Sequence, residues 1–257
     1  MNKINKDVDY RKMAGNARLV LLAESSHSPM SYKYEAIKAL KQLKAIGINY
    51  FAMEMLPIKL KEEIDHYQRT GIGLKKIKNF LDKNWNWNIA SVTGYVDLIK
   101  TANSLGMKIL PLDIPYELMD EYDKNCEWEK AAANKCDDSH IRRNDLWADI
   151  LANKLKSDKN IKIVAFMHRY HAFKASDAHL GIDELMLTLN ISQIRIIDYV
   201  GGLTCSTLTA CEGESSEEEP LSQMYFVRKG AYVDSRVPSF TVHIPEKRLT
   251  ANRGLTW

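Results

Sequence analysis

The amino-acid sequence predicts an α/β protein with a mainly parallel central sheet flanked by helices. Short apolar segments of strand length alternate along the chain with longer segments whose apolar residues recur every three or four positions. This alternation is typical of consecutive β-α-β units. Towards the end of the chain, two apolar segments follow each other with no helical pattern between them. That arrangement favours an antiparallel C-terminal extension of the sheet.

The apolar segments are the predicted strands of this sheet. The first strand has no polar residue after Arg18, which is typical of a strand buried on both faces. The third contains Pro111, which cannot donate to a β ladder, so it must lie at an edge or a bulge unless the strand is shorter. The predicted strands are Arg18–Ala23, Asn49–Met55, Lys108–Asp113, Ile161–Met167 and Gln193–Tyr199, followed by Met224–Val227 and Phe240–Ile244.

Helical periodicity fills the segments between the strands. Ser28 is the predicted N-cap of the helix after the first strand, Pro29 its first residue and Gly47 the residue that ends it. Four lysines of this helix are expected on its solvated face: Lys33, Lys38, Lys41 and Lys44. Further helices are predicted at Lys59–Gln68, Leu74–Leu81, Val92–Leu105, Ser139–Leu155 and Ile182–Leu189, whereas Tyr116–Asp137 shows no clear period. The simplest organisation is one domain over residues 1–257 with a helical insertion at about residues 58–105.

Composition excludes several classes of protein. Apolar residues make up 45% and charged residues 27% of the chain, as in soluble globular proteins. The formal net charge of +3 is too small to indicate a nucleic-acid partner. No apolar run has the length of a membrane helix and no secretory leader is visible, so we expect a cytoplasmic protein without a membrane partner. The four cysteines have neither zinc nor redox spacing and are expected to be reduced thiols, and Glu212–Glu219 is a predicted surface loop.

Ionisable residues stand just after the predicted strands. The carboxyl ends of parallel strands share one edge of the sheet, so we expect these groups to meet there. Glu54 ends an apolar strand, where a carboxylate is costly to bury without a partner, which favours a functional role over a structural ion pair. Asp113 could instead cap a turn, and Asp198 could pair with Arg195 or another basic residue. The full set is Glu24, His27, Glu54, Asp113, His168, His171 and Asp198.

Two chemistries suit two glutamates with two or three histidines. A neutral histidine can act as general base on a water while a second histidine polarises a carbonyl. Alternatively, histidine and glutamate can hold a divalent ion that activates the water. The spacing of His168 and His171 lacks the usual zinc-protease context, so the metal site is the weaker hypothesis. Motifs of serine hydrolases, P-loop NTPases and dinucleotide-dependent enzymes are absent from the sequence.

These residues resemble the signature of the erythromycin esterases, which are grouped with ChaN-type haem-binding lipoproteins, TIKI/TraB proteins and a domain of the Pasteurella toxin. The esterase pattern of an apolar strand, Gly-Glu-x-x-His, a helix and a second strand ending in Glu is similar to Leu21–His27 and Phe51–Glu54. Its later His-Asn-x-His is similar to His168–His171, and an Arg-Asp…Met-Ala helix is similar to Arg143–Ala148. Here Ala23 stands in place of the glycine and Arg169 in place of the asparagine.

The resemblance implies a role for each matching residue. His27 would be the general base that activates water for ester hydrolysis, with Glu24 and Glu54 orienting it, and His168 or His171 would polarise the substrate. We expect the remaining site residues to contact a small-molecule or peptide-like substrate: Asp113, Arg143, Tyr170 and Trp87. No cofactor is expected for this reaction. The resemblance leaves two alternatives open, a haem- or ligand-binding protein with Tyr170 and His171 as first candidates, and a TIKI-type hydrolase that uses a divalent metal.

Overall fold

A computed structural model describes residues 8–85, 91–124, 139–174, 179–205, 211–213, 226–230 and 235–245. Its strands are β1 (Leu19–Glu24), β2 (Tyr50–Pro57), β3 (Lys108–Asp113), β4 (Ile163–His168), β5 (Ile194–Gly201), β6 (Leu203–Cys205), β7 (Cys211–Gly213), β8 (Phe226–Lys229) and β9 (Ser239–Ile244). Its helices are α1 (Tyr10–Ala14), α2 (Met30–Lys44), α3 (Lys61–Thr70), α4 (Leu74–Asn84), α5 (Ser91–Ser104), α6 (Tyr116–Asp123), α7 (Ser139–Ser157), α8 (Arg169–Ala172) and α9 (Ile182–Thr188), with a 3₁₀ turn at Ile58–Leu60.

Seven of the strands so described form one sheet, in the spatial order β3-β2-β4-β1-β5-β9-β8. All neighbours in it are parallel except β8, which runs antiparallel to β9. The predicted α/β class and the antiparallel extension are therefore confirmed. Strands β6 and β7 form a separate antiparallel pair, so Glu212 lies in a strand, whereas the rest of the predicted loop lies outside the described residues.

The central strand β1 is buried on both faces, as its continuous apolar sequence predicts. Val20 and Leu22 belong to the core that packs beneath α1, α2 and α5. Leu19, Leu21 and Ala23 belong to the core on the opposite face, beneath α7 and α9. Because the side chains of a strand alternate between faces, a strand between two helical layers needs apolar residues at every position.

Pro111 lies where the sequence predicts a proline must lie. Among the described strands, β3 lies at the edge of the sheet and pairs with β2 alone, so the missing proline N–H interrupts no second ladder there. The register between β2 and β3 also shifts between Met53 and Pro57. This irregularity lies beside Glu54, the residue of β2 that the site uses.

The start of α2 differs by one residue from the prediction. Pro29 is the N-cap and the helix begins at Met30, so the assignment of Ser28 as N-cap is wrong. The reason is the extended backbone of Pro29, whose ψ of 121° keeps it outside the helix. The helix ends at Lys44 with Ala45 as its C-cap, so Gly47, predicted as the residue just past the cap, lies one position further on. It is in the turn after the helix, with a φ of 89°, and its N–H donates to Lys44 O at 3.1 Å.

No helix within the described segments is both long enough and apolar enough to span a membrane.

Candidate active site

Four adjacent strands deliver ionisable groups to one edge of the sheet. Glu24, Glu54, Asp113 and His168 end or nearly end β1, β2, β3 and β4, which are neighbours in the sheet. The parallel register of β1 and β4 sets Glu24 directly opposite His168. The parallel topology therefore gathers groups that are more than a hundred residues apart in the chain.

His27 and Glu24 form a hydrogen-bonded pair in this edge. His27 Nδ1 lies 2.7 Å from Glu24 Oε1, and the glutamate is fully buried. Burial raises the pKa of Glu24, but Lys33 and the hydrogen bond from His27 outweigh it, so the pKa lies below its ordinary value. The ionised carboxylate can only accept a hydrogen bond. The proton of a neutral His27 therefore sits on Nδ1, and its Nε2 carries the lone pair.

Lys33 and Tyr95 hold this pair from behind. Lys33 Nζ donates to Glu24 Oε2 at 2.8 Å and to His27 O at 2.6 Å, and Tyr95 OH donates to Glu24 Oε1 at 3.2 Å. The predicted place of Lys33 on the solvated face of α2 is wrong, because its side chain is 0% exposed. Lys33 lies three and seven residues before Ala36 and Leu40, so it shares their buried stripe.

Glu54 and Asp113 share one guanidinium. Arg143 donates from Nη2 to Glu54 Oε1 at 2.9 Å, and from Nε and Nη2 to the two oxygens of Asp113 at 2.8 and 3.2 Å. Burial raises the pKa of Asp113 to about 7 although Arg143 opposes the rise. Burial lowers the pKa of Arg143, but the two carboxylates reverse this and raise it. Arg143 is thus buried and its charge is matched by these acids.

His171 faces the same glutamate oxygen from another side. Its Nδ1 lies 2.6 Å from Asn144 Oδ1, and Asn144 Nδ2 donates to Leu180 O, which fixes the amide orientation. Burial, followed by the charge of Arg143, lowers the pKa of His171 well below its ordinary value. His171 is therefore neutral with its proton on Nδ1. Its Nε2 is 3.6 Å and His27 Nε2 is 3.8 Å from Glu54 Oε1, so three acceptors converge.

His168 supports Glu54 through its backbone and packs against His27 through its ring. Its N–H donates to Glu54 Oε2 at 2.6 Å, and its ring centre lies 4.8 Å from that of His27. Burial, and next the charge of His27, lower the pKa of His168 to about 4. Its Nδ1 accepts from Tyr170 N at 3.3 Å, and the ring also bonds to the backbone of Ser25.

This depressed pKa predicts how His168 affects stability. Between pH 6.5 and 4 the unfolded chain protonates His168 and the folded chain does not, so the native protein loses stability as pH falls. Glutamine does not titrate. We expect the free energy of unfolding of His168→Gln, relative to the unsubstituted protein, to rise by about 3 kcal/mol between pH 7 and pH 4. Urea unfolding at several pH values measures this difference, with the exposed His66→Gln as matched control. A difference that stays constant with pH would contradict the assignment.

Asp198 forms an ion pair with Arg169. It is fully buried on β5, where Arg169 Nε donates to its Oδ1 at 3.3 Å and Arg169 Nη2 bonds its Oδ2. The predicted alternative of a basic partner is therefore confirmed, with Arg169 rather than Arg195 as that partner. This ion pair fastens the first residue of α8 to the sheet, and α8 carries His171.

His27 of the His27–Glu24 pair lines a cleft of about 670 Å³. Tyr170 is 61% exposed at its mouth. Trp85 packs its ring edge-on to His27 with centres 5.1 Å apart, and its Nε1 donates to the hydroxyl of Tyr116. Trp87 lies outside the described residues. The cleft is lined by His27, Glu54, Lys83, Asn84, Trp85, Tyr116, Met119, His140, Arg143, His168, Tyr170 and His171.

Helical periodicity in the sequence marks the burial of two residues around the site, Arg143 and Tyr95. Arg143 precedes Trp147 by four residues, so it shares the buried stripe of α7. Tyr95 lies on the apolar stripe of α5 together with Leu98, Ile99 and Ala102, which are all buried. His140 stacks on His171 with ring centres 4.0 Å apart, and no sequence pattern marks that contact.

Within the ranges that the structure describes, no set of three or more His, Cys, Asp or Glu side chains is arranged to hold a metal ion.

Comparison with known proteins finds solved structures of similar fold. No protein-family model and no curated protein matches the chain. A succinoglycan biosynthesis protein matches with a TM-score of 0.61 at 14% identity, covering 92% of this chain and 89% of its own. An erythromycin esterase mutant in its open conformation matches with a TM-score of 0.59 at 9% identity, covering 92% of each chain. ChaN of Campylobacter jejuni, solved with cofacial haem, matches with a TM-score of 0.53 at 15% identity, covering 91% and 89%.

At these identities the likeness establishes the fold. The chain has the fold of an erythromycin esterase and of ChaN across nearly the whole length of each. The fold expected from the short motifs around Glu24, His27, Glu54 and His168–His171 is therefore confirmed.

Proposed function

We propose that this chain is a hydrolase of carboxylic esters or lactones of small molecules, in which His27 is the general base. The observation that carries the proposal is the pair of His27 Nδ1 and an ionised Glu24, 2.7 Å apart at the floor of a cleft. A carboxylate behind an imidazole fixes its tautomer and stabilises the imidazolium that forms when it takes a proton. The neutral, lone-pair-bearing Nε2 of His27 then serves as the base.

The three converging acceptors, His27 Nε2, Glu54 Oε1 and His171 Nε2, can bind and orient the attacking water. A water has two protons to donate, one to His27 Nε2 and the other to Glu54 Oε1 or His171 Nε2. His27 and His171 approach the same oxygen of Glu54 within 3.8 and 3.6 Å, so a water bonded to two of these acceptors is oriented by both. As the water oxygen bonds to the carbonyl carbon, its proton passes to His27. That proton then passes to the leaving alcohol oxygen as the ester bond breaks.

Negative charge on the carbonyl oxygen needs a donor or a cation. His168 and His171 are neutral. The ring N–H of His168 bonds to the backbone of Ser25, and that of His171 donates to Asn144 Oδ1. We therefore assign this role to Arg143, a positively charged group that lines the cleft. Preorganised positive charge in a site with little water is the usual means of stabilising such an oxyanion.

The test is hydrolysis of a panel of p-nitrophenyl esters, aliphatic lactones and anilides by the full chain. We expect turnover of at least one ester or lactone, no burst of alcohol and no acyl adduct in the mass spectrum, because water attacks directly. Incubation with a chelator, followed by elemental analysis, accompanies the assay. Stoichiometric metal lost together with activity would identify the metal-dependent hydrolase instead. No turnover above the uncatalysed rate on any member of the panel would contradict the proposal.

Haem binding, which the ChaN comparison raises, fits the residues less well. His171 is 1% exposed, its Nδ1 is bonded to Asn144, and its Nε2 faces Glu54. It cannot reach a haem iron without breaking these contacts, so of the two groups predicted for haem only Tyr170 is accessible. A Soret band on haem titration that disappears in His171→Ala would favour the binding function over the hydrolase.

A further inference from the structure

Lys33 is a buried cation to which the proposed reaction gives no role. Its side chain is 0% exposed, and its Nζ lies 4.7 Å from the ring centre of Tyr95. A buried ammonium is costly unless its partners are well placed, and here they are Glu24 and the carbonyl of His27. We propose that Lys33 is a positioning residue that keeps the pair in its working protonation state, Glu24 charged and His27 neutral, and that Gly94 makes room for it. This inference rests on the proposed function.

The argument begins with the charge of the pair. Without Lys33, the buried carboxylate of Glu24 would have the imidazole of His27 as its nearest source of positive charge. The pair would then take up a proton more readily, either as an imidazolium or as a neutral carboxylic acid, and each product loses the base. The ammonium, 2.8 Å from Glu24 Oε2, opposes that proton. Among the described residues, the titratable groups around the pair include Lys33, Glu54, Tyr95, His168 and His171, and the charged Arg143 lines the same cleft.

The contacts of Lys33 also join two parts of the site. One ammonium bonds both the carboxylate of Glu24, at the end of β1, and the main-chain oxygen of His27, in the connection to α2. Moving the ammonium therefore changes the carboxylate and the backbone that carries the base together. Because Lys33 is 0% exposed, it acts through Glu24 and His27 and not on a substrate.

Gly94 provides an independent sign that this placement is specific. It lies within α5, where a Cβ would come 2.7 Å from Lys33 Cγ and 2.8 Å from Met30 Sδ. Glycine is a poor residue for a helix interior, so space for Lys33 is the physical reason for it at this position. Alanine there would displace Lys33 without removing its charge.

The experiment measures protonation directly and needs no substrate. The full chain, labelled with ¹⁵N-histidine, is titrated by ¹⁵N–¹H correlation of the imidazole rings, with the His27 signals assigned through their loss in His27→Gln. In Lys33→Met we expect the midpoint of the His27 titration to move up by about one pH unit or more, as removal of a charge at this distance does. Lys33→Gln should move it similarly, because it keeps a donor but not the charge. Gly94→Ala should move it in the same direction by less.

The outcomes separate the two proposals. Lys41→Met, an exposed position on the same helix, is the control and should not shift the midpoint. If Lys33→Gln folds and its His27 titrates with the same midpoint as in the unsubstituted protein, the proposed role of the Lys33 charge is overturned. If neither Lys33 variant folds, an unchanged His27 midpoint in Gly94→Ala overturns it instead. Failure of every ester to react leaves this titration intact and overturns only the hydrolase. If an ester reacts, the acid limb of kcat/KM should move by the same amount while KM stays constant.

Discussion

His27→Gln should lower kcat/KM for the best ester substrate by about 10²–10⁴-fold, the usual cost of losing a general base. Glutamine can still meet Glu24, but its amide has no basic nitrogen to take a proton from water. The loss should appear in kcat, because the proton moves in the transition state. Steady-state kinetics from pH 6 to 9 measure the loss of activity, and a urea unfolding curve measures any loss of stability separately.

The matched control for His27→Gln is His66→Gln, the same substitution at an exposed residue of α3. It should keep both activity and stability. Turnover in His27→Gln within a factor of two of the unsubstituted protein, with the fold intact, would rule out His27 as the base. The proton would then have to be taken by another of the converging acceptors, Glu54 or His171.

Arg143→Met should destabilise the folded protein by about 3–5 kcal/mol at neutral pH, the range measured when one partner of a buried ion pair is removed. Two buried carboxylates, Glu54 and Asp113, lose their shared cation in this variant. Methionine fills much of the arginine volume, so the cost is largely electrostatic. The same change should abolish turnover, because it removes the charge assigned to the carbonyl oxygen.

The pH dependence of this variant has a definite sign. A buried carboxyl with a raised pKa stabilises the fold at low pH and loses that contribution as pH rises through the folded value. Burial raises the pKa of Asp113 to about 7 even beside Arg143, and removing the cation can only raise it further. The stability deficit of Arg143→Met should therefore shrink between pH 7.5 and pH 5. Urea unfolding at both values measures it, with the exposed neighbour Arg142→Met as control, and a deficit that grows on acidification would contradict the assigned network.

Much of this architecture could be predicted from the sequence because few rules govern it. Alternating strand and helix periods fix the parallel sheet, and parallel strands place their carboxyl ends together, so Glu24, Glu54 and His168 meet. The restriction on Pro111 correctly required an edge or a bulge. The turn after α2 was also predictable, because Gly47 adopts a φ that favours glycine.

The pairing of charges could not be predicted in the same way. In the sequence, nothing distinguishes Lys33 from the other lysines of α2 except that it shares the stripe of Ala36 and Leu40. Arg143 lies in a helix that begins 26 residues after β3 ends, so its pairing with Asp113 is not a local contact. Which acid meets which cation depends on side-chain directions across the sheet. Lys33 is fully buried whereas Lys41 of the same helix is exposed, so residue type alone does not determine whether a lysine is buried.

The origin of the cleft walls has a consequence for how such a protein can diversify. The ionisable groups of the floor stand on strand ends, on the connection between β1 and α2 and on α7 and α8, whereas Lys83, Asn84 and Trp85 come from the end of α4, and Tyr116 and Met119 from α6. Floor and walls are thus separate stretches of chain. Substitutions in the walls can therefore admit a different molecule without altering the groups to which we assign the chemistry.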